Sequence, residues 1–215
     1  MCCAARTAWF RLFNFGAAGD EVTARDYDGD SKTDFAIARS AGGLKTWYVN
    51  NSSTNTVRIE QFGLASDFTA QGDYDGDGRT DLGVQRAASG TSPATFYIQQ
   101  STAGYKAVQW GLGSDLVVPG DYDGDGKTDI AVVRNANGFN TFYIWRSADN
   151  SYSALQLGAT PTEPAQGDYD GDGKTDFAVF NRNNGAFYVQ RSTGPQTFTI
   201  FGQIGDLPVA IYDVH

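Results

Sequence analysis

A nine-residue pattern, Asp-Tyr-Asp-Gly-Asp-x-Lys/Arg-Thr-Asp, recurs four times in this chain of 215 residues. It occupies 26–34, 73–81, 121–129 and 168–176, so its first Asp advances by 47, 48 and 47 residues. A fixed period of this length is the mark of a repeat architecture, in which each unit buries its apolar face against the next. The period therefore limits the fold more than any single segment does.

Each pattern places carboxylates at loop positions 1, 3, 5 and 9. Side chains at 1, 3 and 5 of a curled loop converge on one point, and a hard cation such as Ca²⁺ takes six to eight oxygens there. The glycines at positions 4 and 6 allow the positive φ that curling needs. The carbonyl of position 7 is placed to join them. The candidate ligands are Asp26, Asp28, Asp30, Lys32 (carbonyl) and Asp34 in the first loop, and Asp73, Asp75, Asp77, Arg79 (carbonyl) and Asp81 in the second. The third loop offers Asp121, Asp123, Asp125, Lys127 (carbonyl) and Asp129, and the fourth Asp168, Asp170, Asp172, Lys174 (carbonyl) and Asp176. Four carboxylates within nine residues repel one another unless a cation lies between them. Up to four Ca²⁺ are expected. The first loop departs from the others: Ser31 stands where Gly78, Gly126 and Gly173 stand. If that position needs positive φ, a serine is strained there, and the first site is expected to be the weakest.

The charge balance agrees. Net charge is −9, and the loops hold 16 of the 25 acidic residues. Four Ca²⁺ would bring −9 to −1, so the acidity belongs to metal rather than to a generally negative surface. No basic face of Lys and Arg is present for nucleic acid. No run reaches the length of a membrane-spanning helix. The lone His215 ends the chain, which removes Ser-His-Asp and Cys-His zinc chemistry, and no enzyme site is expected. Cys2 and Cys3 are adjacent and terminal, so they are not a disulfide framework. Residues 1–10 lack the apolar core of a signal peptide. Calcium loops suit an extracellular setting, so a secreted or cell-surface location is expected, with this chain a fragment of a longer protein.

Around each loop the period carries strands. Val22–Arg25, Phe68–Gln71 and Leu116–Pro119 precede the loop, and Phe35–Ala38, Leu82–Val84, Ile130–Val133 and Phe177–Phe180 follow it. An aromatic third strand comes next: Trp47–Val49, Phe96–Ile98, Phe142–Ile144 and Phe187–Val189. A fourth ends at Phe62-Gly63, Trp110-Gly111, Leu157-Gly158 and Phe201-Gly202. Apolar residues alternate, as at Val108/Trp110 and Leu155/Leu157, which is the strand period. Four short strands per unit predict an all-β fold, a β-propeller of four-stranded antiparallel blades. One domain is expected over 1–215, with repeats at about 17–63, 64–111, 112–158 and 159–202. The ends, 1–16 and 203–215, hold partial blade material. Trp9–Gly16 reads as a fourth strand and Leu207–Ala210 as a first strand, so the two could meet in a split fifth blade. The alternative is an arc of a larger propeller.

The Asp-rich loops, the preceding Phe62-Gly63 or Trp110-Gly111 with its downstream Ser66-Asp67 or Ser114-Asp115, and the aromatic third strand resemble the FG-GAP/VCBS family. This is the integrin α-subunit type of propeller repeat, and the resemblance is to its bacterial secreted members. It covers about Phe15 to Pro208. It implies calcium in the loop between the first two strands of each blade, and a role in adhesion or in binding a glycan or an extracellular protein. Some relatives serve as propeller parts of carbohydrate-active enzymes, and a spacer role in a surface protein is the third reading.

Outside the loops, Asp20, Asp67, Asp115 and Asp206 recur in register before the first strand, and Asx capping of the turn is the favoured reading over a ligand ring. Arg39, Arg86 and Arg134 each close a second strand and are expected to pair with nearby carbonyls or carboxylates. Trp145 follows Ile144 where other repeats carry Asn50, Gln99 and Gln190, which makes it the candidate ligand-contact residue.

Overall fold

The computed structural model describes residues 14–208, and these hold sixteen strands and no helix. The first blade is β1 (Glu21–Val22), β2 (Phe35–Ala41), β3 (Leu44–Asn51) and β4 (Thr56–Leu64). The second is β5 (Phe68–Thr69), β6 (Leu82–Arg86), β7 (Pro93–Gln100) and β8 (Gly104–Leu112). The third is β9 (Leu116–Val117), β10 (Ile130–Ala136), β11 (Phe139–Trp145) and β12 (Tyr152–Ala159). The fourth is β13 (Thr162–Pro164), β14 (Phe177–Asn181), β15 (Ala186–Gln190) and β16 (Thr197–Ile200). Each is a four-stranded antiparallel sheet in sequence order, the β-propeller blade expected from the period.

Burial follows position in the blade. The second strands are covered on both faces by neighbouring blades, and Leu82–Gln85 and Ile130–Val133 are buried without a break. The third strands alternate, so Trp47, Phe96 and Phe142 are fully buried while Tyr48, Tyr97 and Tyr143 face the other way and stay partly open. The fourth strands are mostly half-exposed edges. Glu21, Val22, Thr69, Ala70, Gln71 and Pro119, from or beside the innermost strands of three blades, line a shared cavity of ≈310 Å³.

The core lies between blades rather than within them. Tyr27, Trp47 and Val49 of the first blade pack on Leu82 and Val84 of the second. Tyr74, Phe96 and Ile98 repeat this against Ile130 and Val132. Phe142 and Ile144 meet Val179, while Phe177 stacks on Tyr122 at 5.0 Å and meets Phe142 edge-on at 5.4 Å. Each large side chain buried this way is worth about 1.5–3 kcal/mol. The glycine next to last in the fourth strand of the first three blades follows from the same packing. Gly63, Gly111 and Gly158 have φ of 100°, 75° and 83°, and a Cβ there would stand 3.0, 3.1 and 2.7 Å from Val84, Val132 and Val179 of the next blade.

The expected fifth blade rests on Trp9–Gly16 and Leu207–Ala210. Residues 9–13, 209 and 210 lie outside the described residues; 14–16 and 207–208 form no strand. No helix among the described residues is long and apolar enough to cross a membrane.

Candidate metal centres

The Asp-rich loop sits between the first and second strand of each blade. A one-residue bridge closes it at its base: Arg25–Asp34, Gly72–Asp81, Gly120–Asp129 and Gly167–Asp176. The position-1 carboxylate holds the curl from inside. Asp121 Oδ1 accepts the Gly124 N–H at 2.6 Å and its Oδ2 the Gly126 N–H at 2.9 Å. Asp26, Asp73 and Asp168 do the same in their loops. Position 6 does require positive φ: Gly78, Gly126 and Gly173 lie at 82°, 82° and 86°, and Ser31 is held at 63°.

The position-9 carboxylate locks the loop to the blade. Oδ2 of Asp34, Asp81, Asp129 and Asp176 accepts the N–H of the position-2 Tyr at 2.8–2.9 Å. Oδ1 accepts the N–H of Ser52, Ser101, Ser147 or Ser192, in the turn after the third strand, at 2.7 Å. The Tyr hydroxyl returns to the first strand, donating to the carbonyl of Thr23, Ala70, Val118 or Ala165. Sequence reading passed over these serines and tyrosines. Their recurrence in register was the available signal.

Carboxylate oxygens from positions 1, 3 and 9 gather in every loop: Asp26, Asp28 and Asp34; Asp73, Asp75 and Asp81; Asp121, Asp123 and Asp129; Asp168, Asp170 and Asp176. One oxygen from each lies within 4.8 Å of the others. Oxygens bound to one Ca²⁺ at 2.3–2.6 Å stand up to about 5.2 Å apart, so the spacing fits a shared cation. Two oxygens point to the same conclusion. Asp75 Oδ1 and Asp170 Oδ1 are buried and have no hydrogen-bond partner, a costly state for a carboxylate that a cation would relieve.

Position 5 stands apart in its bonding. Asp30, Asp77, Asp125 and Asp172 are not in the three-carboxylate groups. Each accepts the position-7 N–H at 2.9 Å. Asp77, Asp125 and Asp172 also take a serine hydroxyl from the turn after the third strand, and Asp30 pairs with Lys32 at 3.0 Å. The side chains of Arg79, Lys127 and Lys174 leave their own loops and lie across the position-4 glycine of the preceding one.

Burial sets the electrostatics. It pushes the carboxyls of Asp81 and Asp129 up to about 6, against the pull of their backbone donors. Asp73, Asp121 and Asp176 are raised for the same reason. At Asp75 burial also pushes upward, but donors on Ala103 and Thr102 outweigh it and the carboxyl lies low. The Ser192 hydroxyl holds Asp172 below the usual range.

The remaining predicted positions make local contacts. Asp20, Asp67 and Asp115 accept the N–H of Ala17, Leu64 and Leu112, which is the turn capping expected. The same carboxylates take two bonds each from Arg39, Arg86 and Arg134 at 2.6–2.9 Å. Each guanidinium lies over Tyr48, Tyr97 or Tyr143, 4.6–4.9 Å from the ring centre. Asp206 caps Gln203. Trp145 is partly buried against Trp110, edge to face at 5.4 Å, and Tyr152, 74% exposed, tilts against Trp110 from outside.

Residues 121–179, the third loop through the second strand of the fourth blade, match the family model of the FG-GAP-like repeat. No curated protein matches the chain.

Proposed function

We propose that this chain is a calcium-stabilised extracellular binding or adhesion module built from FG-GAP-like repeats. The observation that carries the reading is the convergence of three carboxylates in each of four loops, at the same place in four blades. Repetition of one site in every blade suits a structural ion, because a catalytic centre is needed once. The ion neutralises the buried carboxylates and fixes the hairpin, so its binding energy becomes folding energy. Asp at positions 1, 3 and 9 would hold it. The chain's own task is binding rather than catalysis, and a glycan is the favoured ligand. The patch of Trp110, Trp145 and Tyr152 on the outer strands of the second and third blades offers the aromatic surface on which a sugar ring stacks.

A glycan array probed with and without chelator tests the reading, together with Trp145→Ala and Tyr152→Ala. Calcium-dependent retention that weakens in both variants is the expected result. Retention unchanged by chelator and by both variants would keep a glycan ligand but remove both the aromatic patch and the calcium dependence from the reading. No retention, with calcium still raising the melting temperature, would leave a calcium-stabilised spacer or a non-catalytic part of a larger enzyme.

A further inference from the structure

The four loops are not independent. Each of the first three is touched by the loop of the blade that follows. The Thr80 N–H donates to the Asp26 carbonyl at 2.7 Å, Thr128 N–H to Asp73 at 2.6 Å, and Thr175 N–H to Asp121 at 2.6 Å. In every case position 8 of the later loop reaches position 1 of the earlier one, the residue whose carboxylate anchors the curl. The position-7 side chain adds a second contact. A Cβ on Gly29 would stand 3.1 Å from Arg79 Cγ, one on Gly76 3.0 Å from Lys127 Cγ, and one on Gly124 2.6 Å from Lys174 Cε. These stems lie over the glycine that follows the position-3 carboxylate. In the second and third loops the residue before position 1 is a glycine against the same position-8 threonine, whereas the first loop carries Arg25 there. A Cβ on Gly72 would meet Thr128 at 2.6 Å, and one on Gly120 would meet Thr175 Oγ1 at 2.6 Å.

The fourth loop is different. Among the described residues no backbone N–H reaches the Asp168 carbonyl, and nothing lies within 4 Å of a Cβ built on Gly171. Gly167 would meet only the edge of Tyr169, at 3.7 Å. Tyr169 itself is 46% exposed, whereas Tyr27 and Tyr74 are 2% and 4%.

We infer that each calcium site is completed by the blade that follows it. Positions 7 and 8 of one loop act as positioning residues for the site before it, so the site at Asp168, Asp170 and Asp176 is the weaker counterpart of the second and third. The inference rests on the calcium reading above. Its physical basis is preorganisation. A carboxylate whose backbone is pinned by a neighbour loses less freedom when it takes the ion, and the affinity gained is that saving. Coupling therefore runs between adjacent sites through the chain's own hydrogen bonds and is reciprocal, although the residues that supply it come from the later loop.

The test follows calcium titration loop by loop, using the backbone amide resonances of Gly78, Gly126 and Gly173. Each of these amides donates to the position-1 carboxylate of its own loop. Gly120→Ala should weaken the third site by about fivefold or more, a typical coupling between contacting residues. Gly167→Ala, the same change one repeat later, should leave the fourth site within about twofold of the parent. Adding Thr175→Ala to Gly120→Ala removes the atoms at closest approach and should return affinity to the third site, although residue 175 lies in the fourth loop. Equal losses in Gly120→Ala and Gly167→Ala, or no recovery in the double variant, would overturn the inference. Lys174→Ala compared with Lys174→Met gives a second reading if Gly120→Ala does not fold. Both remove the charge and only methionine keeps the stem, so the third site should be weaker in the alanine variant. Indistinguishable titrations of the two would also overturn it. Failure of the calcium reading itself would look different: no loop of the parent chain would respond to calcium at all.

Discussion

At the scale of single residues, the loops join strain to charge. Ser31 sits at φ 63° where the other loops use glycine, and a non-glycine residue in that region costs on the order of 1 kcal/mol. Ser31→Gly should stabilise the calcium-bound chain by about that amount and strengthen the first site, which a thermal melt paired with a titration of that loop will check. The raised carboxyls give a pH dependence whose sign depends on metal. Asp81 and Asp129 titrate near 6 when folded and near about 3.9 when unfolded. Between these values the native state holds more protons than the unfolded chain, so without calcium stability falls as pH rises through about 6. Calcium requires the deprotonated groups, so its affinity rises over the same interval. Melts in EDTA should be higher at pH 5 than at pH 7, and melts in calcium should show the opposite order. That the Asp side chains at positions 1, 3 and 9 gather was legible in the sequence, because a curled loop leaves them few other directions. The bonding of position 5 was not legible, because the hydroxyls that donate to it, on Ser101, Ser147 and Ser192, lie 20 to 24 residues downstream, across a strand turn.

At the scale of elements, the second strand of each of the first three blades carries, at or near its end, an arginine that is tied to the turn before the first strand. Asp115 has a side chain with 0% exposure beneath an Arg134 at 31%, whereas Glu163 is 35% exposed against Arg182 at 42%. Removing one partner of a buried pair leaves an uncompensated charge, at a cost of about 3–5 kcal/mol, while an exposed pair is worth about 1 kcal/mol or less. Arg134→Ala should therefore lower stability far more than Arg182→Ala in denaturant melts, and similar losses would mean that the Asp115 pair is an ordinary surface contact. The strands themselves were legible, because alternation such as Val108/Trp110 and the glycine turns mark them locally. The aromatic pairs divided as alternation requires, with Trp47 and Phe142 inward and Tyr48 and Tyr143 under an arginine. Trp145 looked exposed because its repeat partners are polar, but the ring of Trp110, on the neighbouring blade, partly covers it.

At the scale of the whole molecule, the calcium reading predicts that stability depends on ions. One site filled at a hundredfold excess over its Kd adds about 2.7 kcal/mol, and a chain of this size gains roughly 2–4 °C in Tm per kcal/mol. Chelation should therefore lower Tm by ten degrees or more, by roughly the sum of two or more sites, and coincident melts in calcium and EDTA would reduce the loops to ordinary turns. The period of 47 or 48 residues made the blade architecture legible. The contacts between loops were not, because every repeat carries the same residues and nothing within one unit says which neighbour it serves. That uniformity has a consequence for how such a chain lengthens or shortens over generations. The Thr N–H to Asp carbonyl bond and the basic stem over glycine recur with one polarity at all three junctions between blades. The back of any blade thus fits the front of any other, and copying or losing one unit creates no junction the chain does not already possess. Joining Gly72 directly to Asp121 removes one unit in register, and the shortened chain should still fold in calcium with three sites instead of four. An insoluble or calcium-indifferent product would show that the units have become individual.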